Sequence, residues 1–281
     1  MALVAANERV LMGRPSSIVG RCLRSLLYSL LVGRALGFSA RAAPASIDPG
    51  SGWGRAATED ELRVVPPKLY VYEHCPFCVR ARMILGLAGV EHDLAFLQND
   101  DARTPTRLIG KKVLPILEDA AAGVAIGESL DIVARLDAAG LLAPATGRED
   151  LQRWMERVAD VRSKLTRPRI AISPLAEFAT ARARGTWVAN HQFTDGTRFD
   201  DALADAALVP AMNRFLEELD ALVESEEHIS PGGVSYDDIL YFPHLRTLSL
   251  VRGLEFPPRT RAYMERMSEK ADVPLLWQMA V

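Results

Sequence analysis

Residues 68–79 read KLYVYEHCPFCV, and this juncture restricts the folds open to the chain more than any other stretch. KLYVYE alternates apolar and polar side chains and is rich in aromatic and β-branched residues, the pattern of a strand. From Pro76 to Val90 the period becomes helical, with Val79, Met83, Ile84 and Leu87 on one side and Gly89 as a stop signal. A strand therefore runs straight into a helix whose first turn carries two cysteines. With the helix beginning at Pro76, Cys75 is its N-cap, and its sulfur lies beside unpaired first-turn amides that favour thiolate over thiol. Pro76 suits the first helical position because its φ is already helical and no N–H is needed there. Cys78 follows on the same side, within disulfide reach and one turn deeper. This geometry makes Cys75 the exposed attacker and Cys78 the resolving thiol. Arg80 and Arg82 add positive charge farther along, expected to be solvated or paired with acids.

A structural zinc site is disfavoured, because it takes four ligands and no second close-spaced Cys or His pair exists; His74 is adjacent and His92 isolated. Two inert buried thiols are the bland alternative. A C-x-x-C that opens a helix after a strand is the setting of a thioredoxin-like redox motif, and redox chemistry is the reading carried forward. The chain holds only Cys22, Cys75 and Cys78, too few for a disulfide framework and suited to a reducing compartment. With 36 acidic against 33 basic residues, there is no basic footprint for nucleic acid. A small molecule or a protein is the expected partner.

At 281 residues the chain has room for two domains of ordinary size. Before residue 48 the only acid is Glu8, against Arg9, Arg14, Arg21, Arg24, Arg34 and Arg41. This Arg-rich, Ser-containing, acid-poor pattern is that of an organelle leader, plastid or mitochondrial. Within it SLLYSLLVG, followed by Ala40-Arg41-Ala42, also resembles a secretory signal. The run falls short of the about 20 apolar residues that span a bilayer, so no membrane partner is expected. IDPGSGWGRAATEDELRVVPP reads as a linker, and residues 1–66 are assigned to leader and linker.

Residues 67–140 follow the order β-α-β-α-β-β-α. HDLAFL is the second strand, NDDARTPTRLIGK a loop with a short helix, VLPIL and VAIG a hairpin about EDAAAG, and SLDIVARLD the last helix. That order makes a two-layer α/β domain with a mixed sheet. Residues 141–148 form a linker, and residues 149–281 show only helical signals, among them LQRWMERVADVRSKL and LVPAMNRFLEELDALVE. An all-α C-terminal domain, helical to its end, is expected. Ser235 and Asp238 have the spacing of a capping box, with Val234 and Ile239 as its hydrophobic staple.

Two further stretches offer a place for a thiol partner. Pro115 interrupts a strand-like run, and a cis Leu114-Pro115 bond would leave the Leu114 backbone free to pair with an extended peptide. Ser129, as an N-cap, offers a hydroxyl and adjacent amides to a carboxylate, while Glu128 can hold an ammonium group. Together these match the ends of an amino-acid moiety such as the γ-glutamyl group of glutathione.

The runs KLYVYEHCPFCVRARMILGL, LQNDDARTPTRLIGKKVLPIL and ESLDIVARLD, with SYDDILYFPHLRTLSLVRGLEFPPR and the ending PLLWQMAV, closely resemble the bacterial glutaredoxin-2 family. These are two-domain glutaredoxins with a glutathione-transferase fold. The resemblance implies an α/β thioredoxin-like domain followed by an all-α domain, Cys75 as nucleophile and Cys78 as its partner. It also implies a cis Pro115, backbone pairing of glutathione at Leu114, and contacts from Glu128 and Ser129 to its γ-glutamyl end. Phe77 and Leu114 depart from the family's usual tyrosine and valine, and residues 170–207 match poorly. The implied activity is glutathione-dependent reduction of glutathionylated and disulfide-containing proteins by a monomer. Glutathione is then the co-substrate, with no permanently bound cofactor. An iron–sulfur cluster shared between two protomers with glutathione stays open. So do a glutathione transferase, an isomerase resembling prostaglandin E synthase type two, and a non-catalytic glutathione-binding scaffold.

Overall fold

The computed structural model describes residues 65–281. The expected organelle leader, Cys22 and nearly all of the linker after the leader lie outside the described residues.

The first domain is built on β1 (Lys68–Val71), α1 (Pro76–Leu87), β2 (Asp93–Phe96), α2 (Arg103–Ile109), β3 (Ile116–Asp119), β4 (Val124–Gly127) and α3 (Ser129–Leu136). Its sheet has the order β2-β1-β3-β4, with β1 parallel to β2 and the other two pairs antiparallel. The mixed sheet and the hairpin thus follow the sequence pattern. Leu69 and Val71 on β1 and Leu117 on β3, which share one face of the sheet, are buried beneath α1 and α3, together with Ile132 and Val133.

The second domain comprises α4 (Glu149–Arg157), α5 (Ala159–Ile172), a 3₁₀ turn at Ala176–Phe178, α6 (Ala181–Asn190), α7 (Phe199–Ala204), α8 (Leu208–Leu222), α9 (Tyr236–Leu248) and α10 (Pro258–Ala271). The helical signal over LQRWMERVADVRSKL is divided between two helices. Val158, buried and with φ −82° and ψ −9°, ends α4 and starts α5 in one tight turn. The chain is also not helical to its end: after a 3₁₀ turn at Trp277–Met279, the Val281 amide bonds the Leu250 carbonyl. The capping box is present, with the Asp238 carboxylate accepting from the Ser235 amide at 2.8 Å. Among the described residues no helix is long and apolar enough to cross a membrane.

Helix α1 departs from its expected form in two ways. It stops at Leu87 rather than Val90, because Gly89 takes φ 63° and turns the chain back. Its buried residues, Cys78, Val79, Ala81, Arg82, Met83, Ile84 and Leu85, go round the helix instead of lying on one side. The reason is its position: α1 packs against α3 and the sheet on one flank and against α9 and α10 on the other. The closest approach is at Gly86, where an added Cβ would lie 1.8 Å from the Ala271 carbonyl oxygen. A glycine in a helix interior costs about 1 kcal/mol relative to alanine, and here it lets the two domains touch.

Gly86→Ala is therefore expected to lower stability by about 1–3 kcal/mol through overpacking. Gly185→Ala, in the interior of α6 with nothing within 4 Å of an added Cβ, should raise it by up to about 1 kcal/mol. Thermal melts of the two variants check this, and equal effects would contradict the packing argument.

Candidate active site

The sheet register gathers the site. Tyr70 on β1 lies opposite Ile116 on β3, and Ile116 lies opposite Gly127 on β4. Extending the β1–β3 ladder two steps puts Leu114 beside Tyr72, where the chain leaves β1 for Cys75, and extending the β3–β4 ladder one step puts Glu128 beside Pro115. The C-terminal ends of β1 and β4 and the approach to β3 thus bring together all the residues singled out from the sequence.

Cys75 occupies the N-cap of α1 with Pro76 at N1, as the sequence predicts. Both cysteines are free thiols. Cys75 is half-buried rather than exposed, because the helical domain closes over the turn that carries it. Cys78 is fully buried. A hydrogen bond from the Cys78 thiol lowers the Cys75 pKa to about 6 against the opposing effect of burial, helped by the Cys78 and Phe77 amides. Burial pushes Cys78 the other way, well above an ordinary thiol, and so do its hydrogen bond to Cys75 and the charge there. The Tyr72 amide, donating to Cys78 Sγ at 3.3 Å, offsets only part of this. One sulfur is a ready nucleophile while its neighbour keeps its proton.

The two residues before Cys75 are gripped from the second domain. Arg246 on α9, 0% exposed, donates to the Glu73 carbonyl at 2.8 Å and pairs with the Glu73 carboxylate, which Arg82 also reaches at 2.9 Å. Arg82 is thus buried and paired, while Arg80 has no acidic partner among the described residues. Glu177, in the 3₁₀ turn and fully buried, accepts from the His74 amide at 3.1 Å and sits 2.5 Å from His74 Nδ1. Trp187 donates its indole N–H to His74 Nε2 at 3.0 Å. An indole only donates, so the imidazole proton is assigned to Nδ1 and points at Glu177.

The Leu114-Pro115 bond is cis. Neither the Leu114 amide nor its carbonyl has a hydrogen-bond partner among the described residues. Ser129 is not the N-cap: it is the first residue of α3 and buried, and the cap position belongs to Glu128. The reason is that Glu128, at φ 65°, takes the non-helical conformation of a cap. Its exposed carboxylate is bound to Lys111 Nζ at 2.6 Å. Among the described residues no group of three or more His, Cys, Asp or Glu is placed to hold a metal ion.

Sequence reasoning passed over Glu73, Glu177, Trp187 and Arg246, and considered His74 only as a metal ligand. Arg246 had a signal, a charge set among the apolar residues of FPHLRTLSL. Glu177 and Trp187 had none, because they lie in the stretch from 170 to 207 and act on a residue a hundred positions away.

A thioredoxin-like sheet carrying a C-x-x-C at the start of its first helix, docked on an all-helical domain, defines a two-domain protein of the glutathione-transferase fold. Residues 74–139 match the family "Glutathione S-transferase, N-terminal domain", and residues 150–280 match "Glutaredoxin 2, C terminal domain". The chain belongs to the glutaredoxin 2 family and is a glutathione-dependent oxidoreductase. It is 38% identical to glutaredoxin 2 of Escherichia coli K12 over 217 residues, 76% of this chain and 100% of that one. A crystal structure of glutaredoxin 2 from Salmonella typhimurium in complex with glutathione matches with a TM-score of 0.72 at 38% identity, covering 77% of this chain and 100% of that one. A glutathione transferase of Phanerochaete chrysosporium shares the fold alone, with a TM-score of 0.56 at 13% identity, over 74% of this chain and 98% of that one.

Alkylation by iodoacetamide followed against pH by mass spectrometry should show Cys75 reacting with a midpoint near pH 6, and Cys78 silent until far into the alkaline range. A Cys75 midpoint at the ordinary thiol value of about 8.5 would refute the hydrogen-bonded thiolate. Glu177 supplies a second test. Burial opposes its charge, but the bonds from His74 prevail and hold its pKa below the usual carboxylate value. The stability it contributes is therefore complete above about pH 4.3 and is lost as pH falls through its lower folded value. Glu177→Gln should flatten that acid limb in denaturant titrations from pH 6 to 3, and an unchanged limb would contradict the assignment.

Proposed function

We propose that Cys75 and Cys78 are the redox pair of this enzyme. The Cys75 thiolate attacks the glutathione sulfur of a glutathionylated protein. The protein sulfur leaves as thiolate and takes up a proton, and Cys75 becomes glutathionylated. The thiolate of a second glutathione then attacks the glutathionyl sulfur, releasing glutathione disulfide and the Cys75 thiolate. With a protein disulfide, Cys78 instead loses its proton, attacks the mixed disulfide and closes a Cys75–Cys78 bond, which two glutathiones reduce in turn.

The observation that carries this reading is the split between the two sulfurs, one at about 6 and the other held protonated. A buried thiol with no thiolate character is useless as a first nucleophile but suited to resolving a bond formed beside it. The unpaired Leu114 backbone supports strand-like pairing of glutathione, and Glu128 with the amides at the start of α3 supports a site for its γ-glutamyl end. For the second role Glu128 must exchange the Lys111 ammonium for that of the ligand. A transferase that adds glutathione to electrophiles would have no use for Cys78, and a scaffold would have no use for an acidic Cys75.

Turnover of a glutathionylated peptide and of a protein disulfide by three proteins tests the scheme. Cys75→Ser should lose both reactions by at least about a thousandfold, since the scheme has no other nucleophile. Cys78→Ser should keep the first within about threefold and lose the second. Full activity of Cys75→Ser would sink the mechanism.

A further inference from the structure

Where α1 meets the second domain there is positive charge that no acid among the described residues balances. Arg80 stands on α1 three residues after Phe77 and covers its exposed ring at 4.8 Å. Among the described residues its buried Nε has no hydrogen-bond partner and its guanidinium joins no ion pair. Arg162, on α5 of the second domain, is equally unpaired among the described residues: its one polar side-chain contact there is Nη1 to the Met155 thioether sulfur at 2.5 Å, a weak acceptor. Helix α9 packs against both α1 and α5 and contributes His244, which forms no hydrogen bond among the described residues. Burial first, then the charges of Arg162 and Arg80, push the His244 pKa down to about 3, so a neutral imidazole stands between two cations. Elsewhere on this interface the arginines are satisfied, Arg82 and Arg246 sharing Glu73. Burial lowers the Arg80 pKa, and among the described residues a charge on Cys75 opposes that shift.

Partly buried guanidinium groups without a counter-ion are costly, and two of them near one imidazole make a receptor for a carboxylate. We propose that Arg80, Arg162 and His244 form a carboxylate-binding subsite next to Cys75 that receives an acidic side chain on the disulfide-bearing protein partner. This rests on the reading of Cys75 as the attacking thiolate. Free glutathione carries the same chemistry. Its expected place, however, is the sheet end at Leu114, Glu128 and Ser129, whereas α5 and α9 lie across α1 from the sheet. A protein partner that approaches over the exposed Phe77 would present its flanking residues to the arginines.

The test uses the full chain and two glutathionylated peptides that differ only in Glu or Gln on either side of the modified cysteine. Wild type should favour the acidic peptide in kcat/KM by roughly tenfold, the worth of one charge-assisted hydrogen-bonded contact, and high salt should shrink that ratio. R162Q should bring the ratio near one, and R162K should restore part of it. R162Q should melt no lower than wild type, since Arg162 has no ionic partner to lose. If R162Q raises the KM for glutathione while the peptide ratio stays, the subsite is real but its ligand is glutathione's own carboxylate. A wild type without preference, or an R162Q unchanged in both measures, overturns the proposal. Should no variant turn over any disulfide, the redox reading fails by itself. Calorimetric titration of wild type and R162Q with the two peptides then still decides the subsite by the same ratio.

Discussion

The turn Glu73-His74 is the constraint on which the rest of the site depends. It connects β1 to α1, and a turn of that kind, left to itself, would place Cys75 loosely. Here Arg246 holds its carbonyl and its acid, and Glu177 holds the next amide and imidazole. Both anchors come from the second domain and both are fully buried. Buried charges of this kind add little net stability when paired but cost several kcal/mol when one partner is removed. They make the geometry of the turn an all-or-none property of the docked domains. The second domain thus helps to position Cys75, and the absence of a side chain at Gly86 lets it come close enough to do so.

From that docking follows the inequality of the two sulfurs. A C-x-x-C helix on an open surface would leave both thiols wet and similar. With α9 and α10 packed over α1, Cys78 loses all solvent while Cys75 keeps the first-turn amides and a donor in Cys78 itself. Desolvation penalises the buried thiolate, and hydrogen bonding rewards the one at the helix start. The same burial makes Arg246 less basic, down to about 10, yet the Glu73 charge beside it keeps it a cation at neutral pH.

The first domain and the cysteine pair were largely legible in the sequence, because the signals are local. Strand alternation in KLYVYE, Pro76 at N1, the hairpin about EDAAAG and the Ser235–Asp238 box each need only a handful of neighbouring residues. What was not legible is what crosses between domains. The one-sided apolar stripe expected for α1 failed because two partners, not one, cover that helix. Exposure of Cys75 failed for the same reason. Glu177 reads as an ordinary surface acid in AEFAT, and only tertiary packing sets it against His74. The break at Val158 carries neither proline nor glycine, so periodicity ran straight through it.

Glu128 shows how far a local error can conceal a real feature. Serine before an apolar run reads as an N-cap, and this preference put the cap one position too late, at Ser129 instead of Glu128. The structure gives the cap to Glu128 at φ 65°, and only one other non-glycine residue described, Asp272, also has a positive φ. A side-chain residue in that region costs about 1–3 kcal/mol and persists only where its surroundings leave no alternative. Both neighbours are held here: Gly127 lies in β4, where an added Cβ would meet Ile109 Cδ1 at 2.8 Å, and Ser129 is buried at the start of α3. The strained residue aims its carboxylate outward at the sheet end beside Pro115, while the helix that follows points its free amides the same way. A relaxed glycine would fit the turn better but would offer no carboxylate, so the strain is the cost of presenting an acid there.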